Sequence, residues 1–418
     1  MLLQRVKLAK QIMSGLSACD IIPDMKYHRL DQERPVVHHQ GTFRKQLSLW
    51  EAVALIVSGT VGAGVLGIPY AIAKVGLIPG VIYIIGVGLL VMGLHLLLGE
   101  VAVRTGENMQ LAGLARRYLG KSGEIVMDVV FYIMTLGALV VYIIGVGNAL
   151  QAIFGGETFL WSMIFFVLAT PLLLRGLRTI KTAELFLTIA IFAVVVCIGA
   201  WSSPHLAFPD WQFINTAALF FPYGILLFAF NGTTAIPEAH ALLGKRNVLF
   251  KHAVIISSVI TIVLYAVFAL VVVGVTGFET TEVATIGLGL ALGPTMVIFG
   301  NLFAVLAMAT SYLLLGVSLR DSLHWDYKVQ QKTAGLLVSF LPLTIFFLGV
   351  KEFIKTIEVI GGVFVSIEMF LILFIYLQAR RHAARGAGTY RVHHALWMTC
   401  MLLIAFLVGG VYSVFSIF

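Results

Sequence analysis

The chain has 418 residues, 60% of them hydrophobic and 11% charged, with a mean hydropathy of +0.99 and a formal net charge of +8. Soluble domains carry about 25% charged residues, so this composition indicates an all-α polytopic membrane protein. The apolar runs are continuous rather than alternating, which excludes a membrane β-barrel, and the sequence contains no nucleotide motif, metal cluster or catalytic triad, so we do not expect an enzyme.

The N-terminal element is a polar tail. Residues 1–47 carry eight Lys/Arg and no apolar core of signal-peptide length, so we predict an uncleaved cytoplasmic tail. A transmembrane helix needs about 20 apolar residues, and the apolar runs predict eleven helices, numbered here in chain order. Their ranges are 48–73, 77–103, 127–154, 158–174, 182–201, 216–243, 249–275, 294–319, 333–350, 354–378 and 395–418.

Lysine and arginine set the orientation of these helices, because both are enriched in short cytoplasmic loops. If the N-terminus is cytoplasmic, 25 of the 28 lie on the cytoplasmic side, and only Lys74, Lys351 and Lys355 do not. The sequence therefore predicts an integral protein of the plasma (inner) membrane with a cytoplasmic N-terminus and an extracytoplasmic C-terminus. The basic excess is then a topology signal, and we expect no nucleic-acid partner.

Helix 1 is interrupted by poor helix formers. The stretch SGTVGAGVLGIPYA, residues 58–71, contains four glycines and Pro69. Each interior Gly costs up to about 1 kcal/mol of helix propensity and Pro about 3 kcal/mol. Helix 6 has a counterpart in FAFNGTTAIPEA, residues 228–239, which shares the pairs Gly-Thr and Ile-Pro. We therefore predict that helices 1 and 6 are unwound in mid-membrane.

The two interruptions lie five helices apart. Because five is odd, the second set of five helices enters the membrane from the opposite side. The predicted organisation is a five-helix repeat over 48–201, an inverted five-helix repeat over 216–378 and an additional helix 11 over 395–418. Interrupted helices at corresponding positions of two halves indicate the binding site of a transporter.

An unwound turn exposes backbone groups that a ligand can satisfy. Free N–H groups at the start of a half-helix suit a carboxylate, and free C=O groups suit an ammonium group or a metal cation, so together they match an amino acid. The alternative is that the glycines form only a packing face. The candidate substrate-binding residues in the two interruptions are Thr60, Gly62, Ala63, Gly64, Phe228, Ala229, Phe230, Asn231 and Thr233.

Three stretches carry a family resemblance: SGTVGAGVLGIPYA in helix 1, GEVAVRTGE at the end of helix 2 and GALVVYIIGVGNAL in helix 3. The chain resembles the amino acid/auxin permease family, closest to its prokaryotic aromatic or neutral amino acid transporters, within the amino acid–polyamine–organocation superfamily. The resemblance implies the five-plus-five inverted-repeat fold of the bacterial leucine transporter. It also implies secondary active, cation-coupled transport of neutral or aromatic L-amino acids by alternating access.

The same resemblance implies roles for two aromatic side chains. Tyr142 on helix 3 and Phe228 on helix 6 would line and gate the side chain of the substrate. The alternative is that they are ordinary packing or lipid-facing aromatics, since the chain has 29 phenylalanines.

In sodium-coupled relatives with this fold, a cation lies between helix 1 and helix 8. The resemblance therefore implies a candidate Na⁺ site made of the carbonyls of Ser58, Val61 and Ala307 and the hydroxyls of Thr310 and Ser311. Hard oxygen ligands suit such a cation. The alternative is that the two hydroxyls bond only to carbonyls of their own helix.

Proton coupling is the alternative to sodium. Glu368 lies mid-span in helix 10, and a carboxylate inside the membrane indicates a functional site by default, here a possible proton site. A hydrogen-bonded structural glutamate is the other interpretation. We expect His95 in helix 2 to be a packed, neutral residue rather than a proton relay.

The predicted partners are an amino acid substrate, the coupling ion (Na⁺ or H⁺) and the lipid bilayer, without a cofactor. The oligomeric state is left open by the sequence. A second function is compatible with the same fold, namely a membrane amino-acid sensor whose basic tail binds a partner.

Overall fold

The structure is a computed structural model that describes residues 48–107, 109–175, 193–207, 212–244, 246–382 and 390–417. The predicted tail 1–47 and residues 182–192 of predicted helix 5 lie outside the described residues. Within them, every regular element is a helix, as expected of an all-α protein.

Two of the helices are broken and the others are continuous or nearly so. Helix 1 consists of Leu49–Thr60 (1a) and Gly64–Val75 (1b), and helix 6 consists of Pro222–Phe230 (6a) and Ala235–Leu243 (6b). Residues 193–202 form the described part of helix 5. The remaining helices are Leu77–Thr105 (2), Leu111–Phe154 (3), Thr158–Arg175 (4), Asn247–Thr276 (7), Pro294–Asp326 (8), Gln331–Phe347 (9), Phe353–Val359 with Ser366–His382 (10) and Ala395–Ile417 (11).

The described helices fit a protein that crosses a membrane repeatedly. Six of them are long and apolar enough to span a bilayer, and the bent pair 1a and 1b makes seven. Helices 4 and 9 are apolar but shorter, and helix 6 is made of two nine-residue halves. The polytopic all-α class is confirmed, whereas the count of eleven spans and the inverted relation of the two halves stay predictions.

Helix 1 begins with a capping box. The Ser48 side chain accepts a hydrogen bond from the Glu51 backbone N–H at 3.3 Å, and the Glu51 carboxylate accepts one from the Ser48 N–H at 2.7 Å. Two backbone donors that the helix itself leaves unpaired are thereby satisfied. Ser48 and Glu51 thus define where the first span begins.

Two α-helical segments of the described residues were not predicted. The helix expected from residue 127 runs from Leu111, with a break at Gly120, where φ is 77° and favours glycine. A nine-residue helix, Ala284–Leu292, also lies between helices 7 and 8. Both were missed because the search for spans requires about 20 apolar residues, and the first segment is polar and the second is short.

Helix 10 contains a wide turn that positions the site. Residues Ile360–Val365 adopt the π-helical form, with i→i+5 hydrogen bonds, and helix 6a packs on this turn. The backbones touch there, because a Cβ added to Gly361 would overlap the carbonyl oxygen of Gly224. Glu368, three residues beyond the turn, is therefore held beside the break of helix 6.

Candidate site between two broken helices

Both interruptions are breaks in the structure, as predicted. Helix 1a ends at Thr60, Val61 is extended (φ −80°, ψ 108°), and 1b starts at Gly64, with a bend of 62° between the halves. Helix 6a ends at Phe230, and Asn231 is extended (φ −69°, ψ 104°) before 6b. The second halves start without a side-chain cap hydrogen bond, so their N-terminal N–H groups are not satisfied by a capping side chain.

The two breaks lie against each other. A Cβ added to Gly64 would lie 2.7 Å from the Cα of Ala229, and one added to Gly232 would overlap the Thr60 hydroxyl. Helices 1 and 6 therefore cross in backbone contact. Gly64 and Gly232 thus form a packing face, as in the alternative considered above, and that packing also brings the open ends of the two breaks together.

Tyr142 connects helix 3 to this crossing. Its side chain is buried, and its hydroxyl lies 3.2 Å from the position that a Cβ on Gly62 would take. One predicted substrate residue thus lies beside the break of helix 1.

The polar residues of the helix 6 break turn toward helix 10. The Thr233 hydroxyl donates a hydrogen bond to Oε1 of Glu368 at 2.8 Å, and the Asn231 side-chain amide donates one to Oε2 at 3.2 Å. The Thr233 N–H donates to Oδ1 of Asn231 at 3.4 Å, and the Thr233 hydroxyl oxygen lies 3.0 Å from the same Oδ1. Glu368 is 1% exposed. The carboxyl predicted as a proton site and two residues predicted as substrate ligands therefore form one network.

Residues 228–230 face different surroundings. Phe228 is half-buried, with a ring carbon 3.1 Å from the position of a Cβ on Gly64, so it lies at the crossing. Phe230 is buried, and its ring packs against that of Tyr265 with centroids 4.8 Å apart. The Ala229 carbonyl accepts a hydrogen bond from the Tyr265 hydroxyl at 2.7 Å. Phe228 thus contacts the start of helix 1b.

Tyr265 on helix 7 was not predicted as part of the site. Besides Ala229, its hydroxyl also approaches the Thr60 carbonyl at 3.4 Å, so it contacts the ends of both 1a and 6a. Nothing in the local sequence distinguishes this tyrosine from other buried aromatics.

One hydroxyl of the predicted cation site bonds to its own helix. Thr310 Oγ1 lies 2.9 Å from the carbonyls of both Leu306 and Ala307. The side chain of Ser58, whose carbonyl is the predicted ligand, donates to the Leu55 carbonyl at 3.0 Å. A hydroxyl that donates its proton keeps lone pairs with which to coordinate a cation. This arrangement is the alternative considered above, and it also leaves the oxygens able to act as ligands. The Na⁺ site stays a prediction.

The whole of this architecture matches a known family. The family model described as "Transmembrane amino acid transporter protein" covers residues 45–416. The chain belongs to this transmembrane amino acid transporter family. The predicted family is therefore confirmed, and so is the expectation that the protein is a transporter rather than an enzyme.

Two known transporters align with most of the chain. A tyrosine-specific transport system 1 from Haemophilus influenzae is 26% identical over 385 residues, which are 85% of this chain and 93% of that protein. Glutamine transporter 2 from Aliivibrio fischeri is 24% identical over 344 residues, covering 78% of this chain and 88% of its own length.

Solved structures with the same fold also match. MhsT, crystallised with L-phenylalanine, has a TM-score of 0.65 at 13% identity and covers 89% of this chain and 100% of its own. A manganese transporter from Eremococcus coleocola has a TM-score of 0.62 at 16% identity and covers 91% of each chain. Both have the leucine-transporter fold that the resemblance implies. Because one was crystallised with an amino acid and the other transports a metal, the fold does not assign the substrate.

Proposed function

We propose that the protein is a secondary active transporter of neutral or aromatic L-amino acids, coupled to a cation and working by alternating access. The observation that carries this proposal is the contact between the two breaks, where a Cβ on Gly64 would meet Ala229. In this proposal, one small zwitterion binds both to N–H groups of one half-helix and to carbonyls of the others, and the close contact of the breaks supports it.

In this proposal the backbone recognises the part common to all amino acids. The N–H groups of Gly62, Ala63 and Gly64, at the start of 1b, bind the carboxylate, which the positive end of the helix dipole also favours. The carbonyls of Thr60 and Ala229, at the ends of 1a and 6a, bind the ammonium group.

The side chain of the substrate would then face Tyr142 and Phe228. Neither break contains a charged residue that could bind the substrate side chain. The carboxyl of Glu368 accepts hydrogen bonds from Asn231 and Thr233. This favours a neutral substrate, in agreement with relatives named for tyrosine and glutamine.

For the coupling ion we propose Na⁺ at the carbonyls of Ser58, Val61 and Ala307 and the hydroxyls of Thr310 and Ser311. One observation favours H⁺ instead. Glu368 is buried, and its two described hydrogen-bond partners, Asn231 and Thr233, are uncharged. A buried carboxyl without a charged partner among the described residues is a candidate for taking up and releasing a proton during transport.

Uptake into proteoliposomes tests the proposal and separates the two ions. We expect a Na⁺ gradient to drive uptake of labelled L-tyrosine or another neutral amino acid, and Thr310→Val to abolish the Na⁺ dependence. Thr344→Val is the matched control, because Thr344 on helix 9 also donates to a carbonyl of its own helix, at 2.8 Å, but is exposed.

Two other outcomes would contradict parts of this proposal. Uptake driven by a pH gradient alone, and lost in Glu368→Gln, would assign coupling to H⁺ and remove the Na⁺ site. Amino acid binding without flux under either gradient would show a sensor rather than a transporter.

A further inference from the structure

Tyr265 is the residue of helix 7 that reaches both breaks. It is fully buried, and its ring packs on Phe230, the last residue of helix 6a. Its hydroxyl lies 2.7 Å from the Ala229 carbonyl oxygen and 3.4 Å from the Thr60 carbonyl oxygen. The ring contact and the hydroxyl contacts together hold this side chain in one place.

The two carbonyls that Tyr265 contacts belong to helix ends. The last four C=O groups of a helix have no partner within the helix, and both Thr60 and Ala229 lie within the last two residues of their half-helices. A carbonyl oxygen accepts two hydrogen bonds. The Tyr265 hydroxyl has one proton, which it donates to the Ala229 carbonyl at 2.7 Å, while the Thr60 carbonyl lies at the longer distance of 3.4 Å. Both carbonyls therefore still present a lone pair to a ligand in the break.

An ammonium group needs several acceptors at a fixed spacing. Here the acceptors come from two separate half-helices, and ordering them at the moment of binding would cost affinity. A rigid donor that contacts both ends reduces that cost in advance, because it sets the distance and direction of the carbonyls before the ligand arrives.

We propose that Tyr265 is a positioning residue of the substrate site, whose hydroxyl aligns the carbonyls of Thr60 and Ala229 for the ammonium group of the amino acid. This rests on the proposed function, since it assumes that an amino acid binds at the breaks. Tyr265 does not itself touch the substrate; it acts through the two carbonyls.

Tyr265→Phe removes the hydroxyl and keeps the ring. Tyr312→Phe is the matched control: Tyr312 on helix 8 is also fully buried, and its hydroxyl has no hydrogen-bond partner within the described part of the chain. The probe is the amino acid that stabilises the wild type most in a thermal-shift screen of the twenty. Its Kd and its uptake are then measured for the three proteins.

We expect Tyr265→Phe to raise Kd and KM about tenfold while the maximal uptake rate stays within about twofold, since a net hydrogen bond contributes at this scale. Tyr312→Phe should leave both within about twofold of the wild type. Unchanged affinity in Tyr265→Phe, or equal losses in the two variants, overturns the role of the hydroxyl. A wild type that binds none of the twenty refutes the proposed function instead, and this inference with it.

A second substitution separates alignment from folding. Incorporation of 4-aminophenylalanine at position 265 keeps the ring and a weaker donor, so its Kd should lie between those of the wild type and Tyr265→Phe. If Tyr265→Phe does not fold, this variant decides alone: a severalfold rise in Kd supports the alignment, and a wild-type Kd refutes it.

Discussion

Of the glycines in and beside the two breaks, Gly64 makes the closest approach to a backbone atom of the other broken helix. The substitution Gly64→Ala tests this close contact directly. The added methyl group would lie 2.7 Å from the Cα and 2.8 Å from the Cβ of Ala229, and 3.1 Å from a ring carbon of Phe228. A rotamer change relieves only the last of these contacts. Ordinary contact starts at 3.4 Å, so helices 1b and 6a must separate by at least about 0.7 Å.

The expected cost follows from this displacement. Overpacking a close contact costs about 1–3 kcal/mol, and alanine gains less than about 1 kcal/mol of helix propensity over glycine at a helix end. We expect Gly64→Ala to lower the free energy of unfolding by about 1–2 kcal/mol. The same shift displaces the N–H groups of 1b from the carbonyls of 6a, so uptake at low substrate concentration should fall at least about tenfold, the equivalent of 1.4 kcal/mol.

Gly86→Ala is the matched control for this substitution. Gly86 lies in helix 2, and a Cβ there meets nothing within 4 Å, so the control should be neutral or slightly stabilising. Thermal unfolding in detergent, with and without the amino acid, measures stability, and proteoliposome uptake measures function. If Gly64→Ala is as stable and active as Gly86→Ala, the close contact between the two breaks does not exist in the working protein.

Two other contacts support sharp tests. Gly232→Ala should reduce uptake because its Cβ would overlap the Thr60 hydroxyl, and Thr60→Ala in the same chain should partly restore it; a double variant worse than Gly232→Ala alone contradicts the contact. Arg104→Ala leaves Glu100, which is 1% exposed and 2.7 Å from Arg104, without its cation, so chemical unfolding should show a loss of about 3 kcal/mol. Arg117→Ala, whose ion pair is more exposed, should lose less than about 1 kcal/mol, and equal losses in the two variants would argue against a buried pair at Glu100.

Much of the fold and the position of the site follow from local sequence. Long apolar runs must form helices in a membrane because backbone groups there have to be satisfied internally. Both predicted breaks, after Thr60 and after Phe230, are present, with Gly62 in the first and Gly232 in the second. Pro69, by contrast, lies inside helix 1b. These features depend on residue type and spacing within about 20 positions, which is why one sequence suffices to predict them.

The partners of those breaks are decided only by tertiary structure. Glu368 lies 135 residues from Thr233, and Tyr265 lies 205 residues from Thr60. The hydropathy value of a tyrosine or a glutamate does not depend on the direction of its side chain, so hydropathy cannot predict which helix that side chain contacts. The wide turn of helix 10 and the backbone contact at Gly361 determine that Glu368 meets helix 6.

The sequence by itself therefore determined the membrane class, the family and the two places where the chain stops being helical. Tertiary structure decided which distant side chains meet these two places: Tyr265 lies at the carbonyls, and Glu368 accepts hydrogen bonds from side chains of the second break. The physical reason is range. Helix formation and helix breaking are set by neighbours along the chain, whereas hydrogen-bond partners inside a bundle are set by how distant helices pack.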